Sequence, residues 1–169
     1  MKAVVVYESL WGNTAQVARA VAEGIGQDTR ALSTAAATVA EVAGMDLIVA
    51  GAPVFGFKLS SDKMRQAIRA NPGKAPSPPD LSHPALRAWL DALPAGRGRS
   101  AAFDTQVRGP FGSGAPEIAR ALEAAGYASL ADPVGFVLKG RYGPLRSGEL
   151  ERAREWGAEL ARKMAQEAV

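Results

Sequence analysis

The 169-residue chain has no cysteine, which excludes a disulfide, a thiolate nucleophile and a cysteine-ligated zinc or iron-sulfur centre. Histidine is almost as scarce, because His83 is the only one and lies in a proline-rich segment. Neither a histidine-based metal site nor a Ser-His catalytic pair is therefore expected.

A strong excess of charge is also missing. The chain has 20 basic and 17 acidic residues, a net charge of +3 and a pI of about 9.4. This mild excess does not indicate a nucleic-acid partner. Long apolar runs are absent too, and Met1-Lys2 leads directly into a strand without a signal-peptide pattern. We therefore expect a cytoplasmic protein with no membrane span.

The composition that is present is that of a globular domain. Hydrophobic residues make up 47% of the chain and charged residues 22%. A chain of 169 residues can bury a core without help from metals or disulfides. We expect a single domain over residues 1–169.

The stretch 7–14, Tyr-Glu-Ser-Leu-Trp-Gly-Asn-Thr, joins a predicted strand to a predicted helix. The strand, 2–7, contains three consecutive valines, which is typical of a strand covered on both faces in a parallel sheet. The helix, 14–25, has apolar residues at every fourth position of one face. The change from strand to helix therefore falls inside this turn.

Such a turn can bind phosphate. Backbone N–H groups of the first helical turn point at the site, together with the positive end of the helix dipole. Ser9, Asn13 and Thr14 would add side-chain donors, and Gly12 lets the backbone approach closely. The alternative is that Asn13 or Thr14 merely caps the helix.

The rest of the chain alternates between strand and helix patterns. Further strands are predicted at 28–33, 45–51, 99–104 and 134–138. Further helices are predicted at 38–43, 61–70, 86–93, 118–126 and 147–166, and a proline-rich loop at 71–84. Parallel strands require helical crossovers, so this alternation predicts an α/β fold of three layers, a doubly wound five-stranded parallel sheet.

In such sheets a ligand binds at the carboxyl ends of the strands, where the strand order reverses. Three predicted loops at that edge carry glycine or polar residues, namely 8–14, 52–60 and 104–114. We expect these loops to form one site.

The run Val5 to Thr14, followed by Ala18 and Val21, resembles the strand-turn-helix motif of the flavodoxin family at each position. The other two loops fall where that family places its flavin-binding loops, so the resemblance covers nearly the whole chain, although only the first motif is specific. It implies a flavodoxin-like sheet with strand order 2-1-3-4-5 and FMN as the cofactor.

Transferred to this chain, the resemblance implies that Ser9, Asn13 and Thr14 hold the FMN phosphate, together with backbone N–H groups from Leu10 to Thr14. Family members often have a further hydroxyl where this chain has Trp11. The backbone must then contribute more, or Trp11 must serve another purpose, such as covering the ribityl chain.

The second loop contains Pro53, Val54, Phe55 and Gly56. The resemblance implies that Phe55 stacks on the isoalloxazine ring, while the alternative is that it packs against the neighbouring helix. In the family, the peptide at Gly56 can turn its carbonyl toward the flavin when one electron is added, and glycine tolerates both orientations.

The third loop departs from the family pattern. After Asp104, Thr105 and Gln106, many family members have a tyrosine that covers the outer flavin face, and this chain does not. Phe111, followed by Gly112, can replace it only if the loop folds back over the ring. Otherwise that face is open to a second substrate.

Charge is the second departure, because flavodoxins that dock on basic partners are usually acidic, whereas this chain is mildly basic. Lys139, Arg141 and Arg146 follow the last strand, in a loop expected at the same edge as the flavin. This loop is either a solvated surface or a docking surface for an acidic redox partner or an anionic cosubstrate such as NADPH.

Three functions remain open. The first is an FMN-binding, low-potential electron carrier, which serves a redox protein or a small-molecule donor or acceptor. The second is an NAD(P)H- or quinone-linked flavin oxidoreductase, because Trp11-Gly12-Asn13 also resembles the turn of the quinone reductases. The third is a flavodoxin-fold interaction module that no longer binds flavin. We expect no catalytic residues, since the chain has no acid, base or nucleophile constellation and the cofactor would carry the reaction.

Overall fold

The computed structural model of this chain describes residues 1–56, 58–109 and 112–168. The strands are β1 (Ala3–Tyr7), β2 (Arg30–Ser33), β3 (Leu47–Pro53), β4 (Arg99–Val107), β5 (Ala128–Ser129) and β6 (Val134–Leu138). The helices are α1 (Asn13–Ile25), α2 (Val39–Val42), α3 (Asp62–Ala70), α4 (Leu86–Asp91), α5 (Ala115–Ala124) and α6 (Glu149–Glu167). Every strand and helix predicted from the sequence is found.

The strands form one parallel sheet in the order β2-β1-β3-β4-β5, with β6 also paired to β4. In β1, Val5 pairs with Ala31 of β2 on one side and with Val49 of β3 on the other. The strand order therefore reverses at β1. The predicted doubly wound order 2-1-3-4-5 is confirmed.

Two short strands share the fifth position of the sheet. β5 pairs with Arg99 and Ser100 at the start of β4, and β6 pairs with the segment Phe103–Val107. Two residues separate these segments on β4, whereas four residues, 130–133, separate β5 from β6, so this edge contains a bulge. The sequence predicted β6 but not β5, because a two-residue strand has no readable periodicity.

Helices cover both faces of the sheet, which gives the three predicted layers. On one face, α1 and α6 pack with Val5, Val49 and Phe103. On the other face, α4 and α5 pack with Val4 and Ile48. Because successive residues of a strand point to opposite faces, the consecutive valines of β1 fill both cores. In the described part of the chain, no helix combines the length and the apolar character needed to cross a membrane.

β4 is longer than predicted. The sequence placed its end at Asp104, but the strand continues to Val107, because Asp104–Val107 pair with Gly135–Leu138 of β6. The polar run Asp-Thr-Gln is typical of a loop, and only pairing with a distant strand satisfies its backbone. The third predicted loop therefore begins at residue 108 rather than at residue 104.

Candidate functional site

A cavity of about 640 Å³ opens at the carboxyl edge of the sheet, beside the β1–β3 pair where the strand order reverses. Its walls come from the segments that follow β1 and β3, from the end of β4, from the β6–α6 loop and from α3. The predicted site residues that line it are Ser9, Leu10, Trp11, Asn13, Thr14, Pro53, Val54, Phe55, Gly56, Thr105 and Gln106. The fold thus brings the three predicted segments to one site, as expected at this edge.

The N-terminus of α1 is on the cavity wall and has no side-chain cap. The N-cap is Gly12, whose φ of +92° is readily adopted by glycine, and the helix begins at Asn13. The alternative that Asn13 or Thr14 merely caps the helix is therefore wrong. Among the described residues, no acceptor is found for the backbone N–H groups of Leu10, Trp11, Asn13 and Thr14. Such free N–H groups at a helix N-terminus favour an anion.

Ser9 stabilises this turn through a hydrogen bond inside it. Its Oγ accepts a hydrogen bond of 3.1 Å from the backbone N–H of Gly12, so Gly12 is the one predicted backbone donor already engaged by the chain. The hydroxyl hydrogen of Ser9 remains available to a ligand oxygen. Gly12 itself does not line the cavity.

Two hydroxyl groups meet at the cavity wall. Thr14 Oγ1 and Thr105 Oγ1 lie 2.8 Å apart, and both side chains are buried. Two hydroxyls that share one hydrogen bond keep one free hydrogen between them, which can be donated to a ligand oxygen. Thr105 reaches this position because β4 extends past Asp104.

Asn13 connects the turn to the loop after β6. Its Nδ2 donates a hydrogen bond of 3.0 Å to the carbonyl oxygen of Tyr142. The next residue, Gly143, has no room for a side chain, because an added Cβ would lie 2.4 Å from Asn13 Oδ1. One N–H of the amide stays free for a ligand, so Asn13 serves the fold as well as the cavity.

Trp11 anchors the proline-rich loop. Its indole Nε1 donates to the carbonyl oxygen of Ser77 at 3.1 Å, and its ring meets Tyr142 edge-on with the ring centroids 4.8 Å apart. The Tyr142 hydroxyl donates to the carbonyl oxygen of Pro72 at 3.1 Å. Trp11 therefore serves another purpose than a phosphate-binding hydroxyl, as the sequence left open. In this structure its partner is the proline-rich loop.

The second loop forms a tight turn at the cavity. Phe55 and Lys58 exchange two backbone hydrogen bonds, of 2.8 and 3.1 Å, and Gly56 between them has a φ of +50°. Phe55 is half-buried, and its ring centroid lies 6.5 Å from that of Trp11. Both rings line the cavity and can contact an aromatic ligand there.

Asp104 does not line the cavity and instead holds the start of α5. Its Oδ2 accepts hydrogen bonds from the Ser113 hydroxyl at 2.6 Å and from the N–H groups of Gly114 and Ala115 at 2.9 Å each. Burial raises the pKa of the Asp104 carboxyl above its usual range, and these hydrogen bonds offset only part of that effect. Gly112 also lies outside the cavity lining, and Phe111 lies outside the described residues.

No protein-family model and no curated protein matches this sequence. Solved structures do match. A flavodoxin from Archaea matches with a TM-score of 0.67 and 22% identity, over 98% of this chain and 99% of that chain. Flavodoxin 1 from Bacillus cereus matches with a TM-score of 0.65 and 19% identity, over 96% of this chain and 98% of that chain. A flavodoxin, WrbA-like protein from Agrobacterium tumefaciens matches with a TM-score of 0.58 and 21% identity, over 98% of each chain.

The chain has a flavodoxin-like fold. The resemblance noted in the sequence is thereby confirmed at the level of the fold, because identities this low carry no residue roles.

A buried ion pair lies directly behind the turn between β1 and α1. Glu8 is fully buried, and its Oε2 accepts from Arg65 Nη1 at 2.6 Å and from the Ser60 hydroxyl at 2.5 Å. Its Oε1 accepts from the backbone N–H of Leu86 at 2.9 Å. Arg65 donates its other nitrogen, Nη2, to the carbonyl oxygen of His83. These bonds join β1, α3 and the proline-rich loop.

His83 continues this network into the turn. Its Nε2 accepts the backbone N–H of Ser9 at 3.1 Å, so Nδ1 carries the proton and lies 3.7 Å from an Asp80 carboxylate oxygen. Burial lowers the pKa of His83 below its usual value of 6.5, and the attraction of Asp80 only partly offsets this. Neutral His83 is therefore the form that holds Ser9.

We expect acidification to destabilise the protein through His83. The unfolded chain takes up a proton near pH 6.5, whereas the folded chain does so only at lower pH. Between these pKa values the unfolded state binds more protons, so the free energy of unfolding falls as the pH decreases. Urea unfolding above and below pH 6.5 measures this slope.

The His83→Gln variant provides the control, because an amide oxygen can accept the Ser9 N–H and does not titrate. Its free energy of unfolding should depend less on pH through this window. Equal slopes for the two proteins would contradict the assignment. The hydrogen bond from Arg152 lowers the pKa of the Glu149 carboxyl in both proteins, so its titration at lower pH does not distinguish them.

Sequence reasoning missed several residues around the cavity. One group lies on α3, which turns Met64, Ala67 and Ile68 toward the cavity. The i, i+4 spacing of Met64 and Ile68 indicated an apolar face, but not that this face lines a ligand site. Leu138 and Arg141 also line the cavity, which agrees with the expected position of the basic loop at this edge.

Proposed function

We propose that this protein binds FMN in the cavity and acts as a low-potential electron carrier. The observation that supports this most directly is the uncapped N-terminus of α1, which lines the cavity together with the Thr14–Thr105 hydroxyl pair. A phosphate monoester there would accept hydrogen bonds from several neutral donors and would lie at the positive end of the helix dipole.

The cavity also fits the rest of such a ligand. Its volume of about 640 Å³ falls within the roughly 300–1,000 Å³ range of cofactor sites. Much of its lining is apolar and includes Val54, Phe55 and Ile68. A flat aromatic ring system can pack against Phe55 and the aliphatic side chains.

When bound, FMN supplies reversible electron transfer, and the protein supplies binding and orientation. Among the described residues that line the cavity, only Arg141 has a titratable side chain. A site with no carboxylate or imidazole suits electron transfer better than the proton-transfer chemistry of a stand-alone oxidoreductase. A carrier of this kind would work in the cytoplasm.

Titration of FMN with the purified chain tests the cofactor. We expect flavin fluorescence to be quenched at micromolar protein with one FMN per chain, and riboflavin to bind more weakly because it lacks the phosphate. Absence of quenching would contradict the proposal and would favour the flavodoxin-fold interaction module. Flavin bands in the visible spectrum of the purified protein would give the same information more quickly.

Titration of the FMN-loaded protein with dithionite tests the carrier role. A carrier should take up its electrons in two separate one-electron steps. A single two-electron transition would contradict the carrier role while leaving FMN binding intact.

The second candidate is an NAD(P)H- or quinone-linked flavin oxidoreductase. The apolar face of α3, with Met64 and Ala67, provides a wall against which a second planar substrate can pack. The match to a WrbA-like protein is compatible with this candidate, although it concerns the fold alone. Rapid bleaching of the flavin by NADPH would favour it, and no bleaching over hours would exclude its NAD(P)H-dependent form.

A further inference from the structure

Six cationic side chains surround the cavity in four separate loops. All six are exposed, and we call them the basic rim: Lys58, Lys74, Arg108, Lys139, Arg141 and Arg146. Arg108 and Lys139 directly follow cavity-lining residues, and Arg141 lines the cavity itself. Lys74 is next to Gly73, which lies close to the Tyr142 hydroxyl. The rim therefore follows the mouth of the site.

The protein neutralises little of the basic rim, although the charge of Arg146 helps to lower the pKa of the nearby Glu149 carboxyl. Within the described part of the chain, none of its six members lies within 4 Å of a carboxylate, whereas cations elsewhere form pairs such as Arg87–Glu117, Arg99–Glu167 and Lys163–Glu159. The loops 54–61, 71–85, 108–114 and 139–148, which contain the rim, include one acidic residue, Asp80. At the opposite edge of the sheet, the loops 26–29, 43–46 and 92–98 contain Asp28, Asp46 and Arg97.

We propose that the basic rim is a docking surface for an acidic protein that exchanges electrons with this chain at the cavity mouth. The proposal rests on the proposed function for the electron exchange, but docking itself requires only the charges. Local positive potential of this kind raises the rate of encounter with a negatively charged partner and orients it over the site.

The distribution of the charges favours a protein over a small anion. A small cosubstrate that enters the cavity would meet Arg141, the only described rim residue in its lining. The other five cations lie outside the lining, on loops that only a broad partner can reach at once. All six are exposed, with no buried framework of hydrogen bonds to hold one anionic group.

Binding to two redox proteins of opposite charge tests this proposal without electron transfer. An acidic [2Fe–2S] ferredoxin and a basic c-type cytochrome serve as probes, and each is passed over the immobilised chain. The ferredoxin should associate at about 10 mM salt, where the Debye length is about 30 Å, and not at about 1 M salt, where it is about 3 Å. The cytochrome should not associate at either salt concentration.

Charge reversal provides matched variants with the same net charge. The Lys58→Glu, Arg108→Glu, Lys139→Glu triple variant should lower the association rate of the ferredoxin by at least about tenfold at low salt. The Arg19→Glu, Arg120→Glu, Arg162→Glu triple variant alters exposed cations on α1, α5 and α6 instead. It should lower the rate much less, because its charges lie away from the mouth.

Equal losses in the two triple variants would overturn the proposal, as would equal binding of ferredoxin and cytochrome. Weaker binding of NADPH to the rim variant, with unchanged binding of ferredoxin, would also overturn it and assign the rim to a small anion. FMN titration of the same preparations separates the two conclusions. Ferredoxin docking without FMN binding would contradict only the proposed function. FMN binding without charge-selective docking would contradict only the docking proposal.

Discussion

The Arg65→Met variant is expected to lose about 3–5 kcal/mol of unfolding free energy, since breaking a buried ion pair from one side leaves an unpaired charge in the interior. The charge left behind is that of Glu8, which has no exposed surface and receives a hydrogen bond of 2.6 Å from Arg65. The total free energy of unfolding of a small domain is only about 5–15 kcal/mol, so this loss would be a large part of it. Urea unfolding monitored by circular dichroism measures it.

The Lys163→Met variant is the matched control. Lys163 forms an exposed pair of 3.0 Å with Glu159 on α6, and exposed pairs contribute about 0–1 kcal/mol. The Glu8→Gln, Arg65→Met double variant should be more stable than Arg65→Met alone, because it removes the stranded charge. It also gives a measurable protein if the single variant does not fold. If Arg65→Met were no less stable than the Lys163→Met control, burial of the Glu8 carboxylate would not depend on its ion pair with Arg65.

The Thr14→Val variant is expected to bind FMN about tenfold to a hundredfold more weakly, while its affinity for riboflavin stays the same. A hydrogen bond to a charged group contributes about 1.5–3 kcal/mol, which corresponds to this range. Valine keeps the shape of Thr14 but removes the hydroxyl that lies 2.8 Å from Thr105 Oγ1 on the cavity wall. Fluorescence titration with the two flavins measures both affinities.

Thr34→Val is the matched control for this substitution. The Thr34 hydroxyl is also buried and hydrogen-bonded, but its partner is the carbonyl oxygen of Pro84 and it does not line the cavity. Its FMN affinity should equal that of the unmodified chain. A parallel loss of FMN and riboflavin affinity in Thr14→Val would indicate damage to the fold, and unchanged FMN affinity would exclude the hydroxyl from the phosphate site.

The contacts that support the turn between β1 and α1 cannot be predicted from local sequence patterns. Glu8 and Ser9 belong to the motif that the sequence singled out, yet their partners are Arg65 and His83, which are 57 and 74 positions away respectively. In the sequence, His83 is only a lone histidine in a proline-rich segment. Its role depends on an accepted hydrogen bond that no spacing in the sequence predicts.

Asp104 is the opposite case, a residue that the sequence predicted for the site but that lies outside the cavity lining. Its place at the end of a predicted strand indicated a cofactor contact, but its Oδ2 accepts hydrogen bonds from the N–H groups of Gly114 and Ala115, and Asp104 lies outside the cavity lining. Thr105, one position later, lines the cavity instead, as do Gln106 and Val107. β4 ends three residues later than predicted, and the side chains that line the cavity are those of its last three residues.

The alternation of strands and helices and the position of the turn before α1 could be predicted from short stretches of sequence, whereas the strand order 2-1-3-4-5 was implied by the resemblance to flavodoxins. Runs of valine, helical periodicity and the glycine before α1 act through neighbouring residues, so the local sequence contains the information. Which side chains support that turn, and which remain free to bind, could not be predicted in this way. Those contacts join residues far apart in the chain, and they form only when β1, α3 and the proline-rich loop pack against one another.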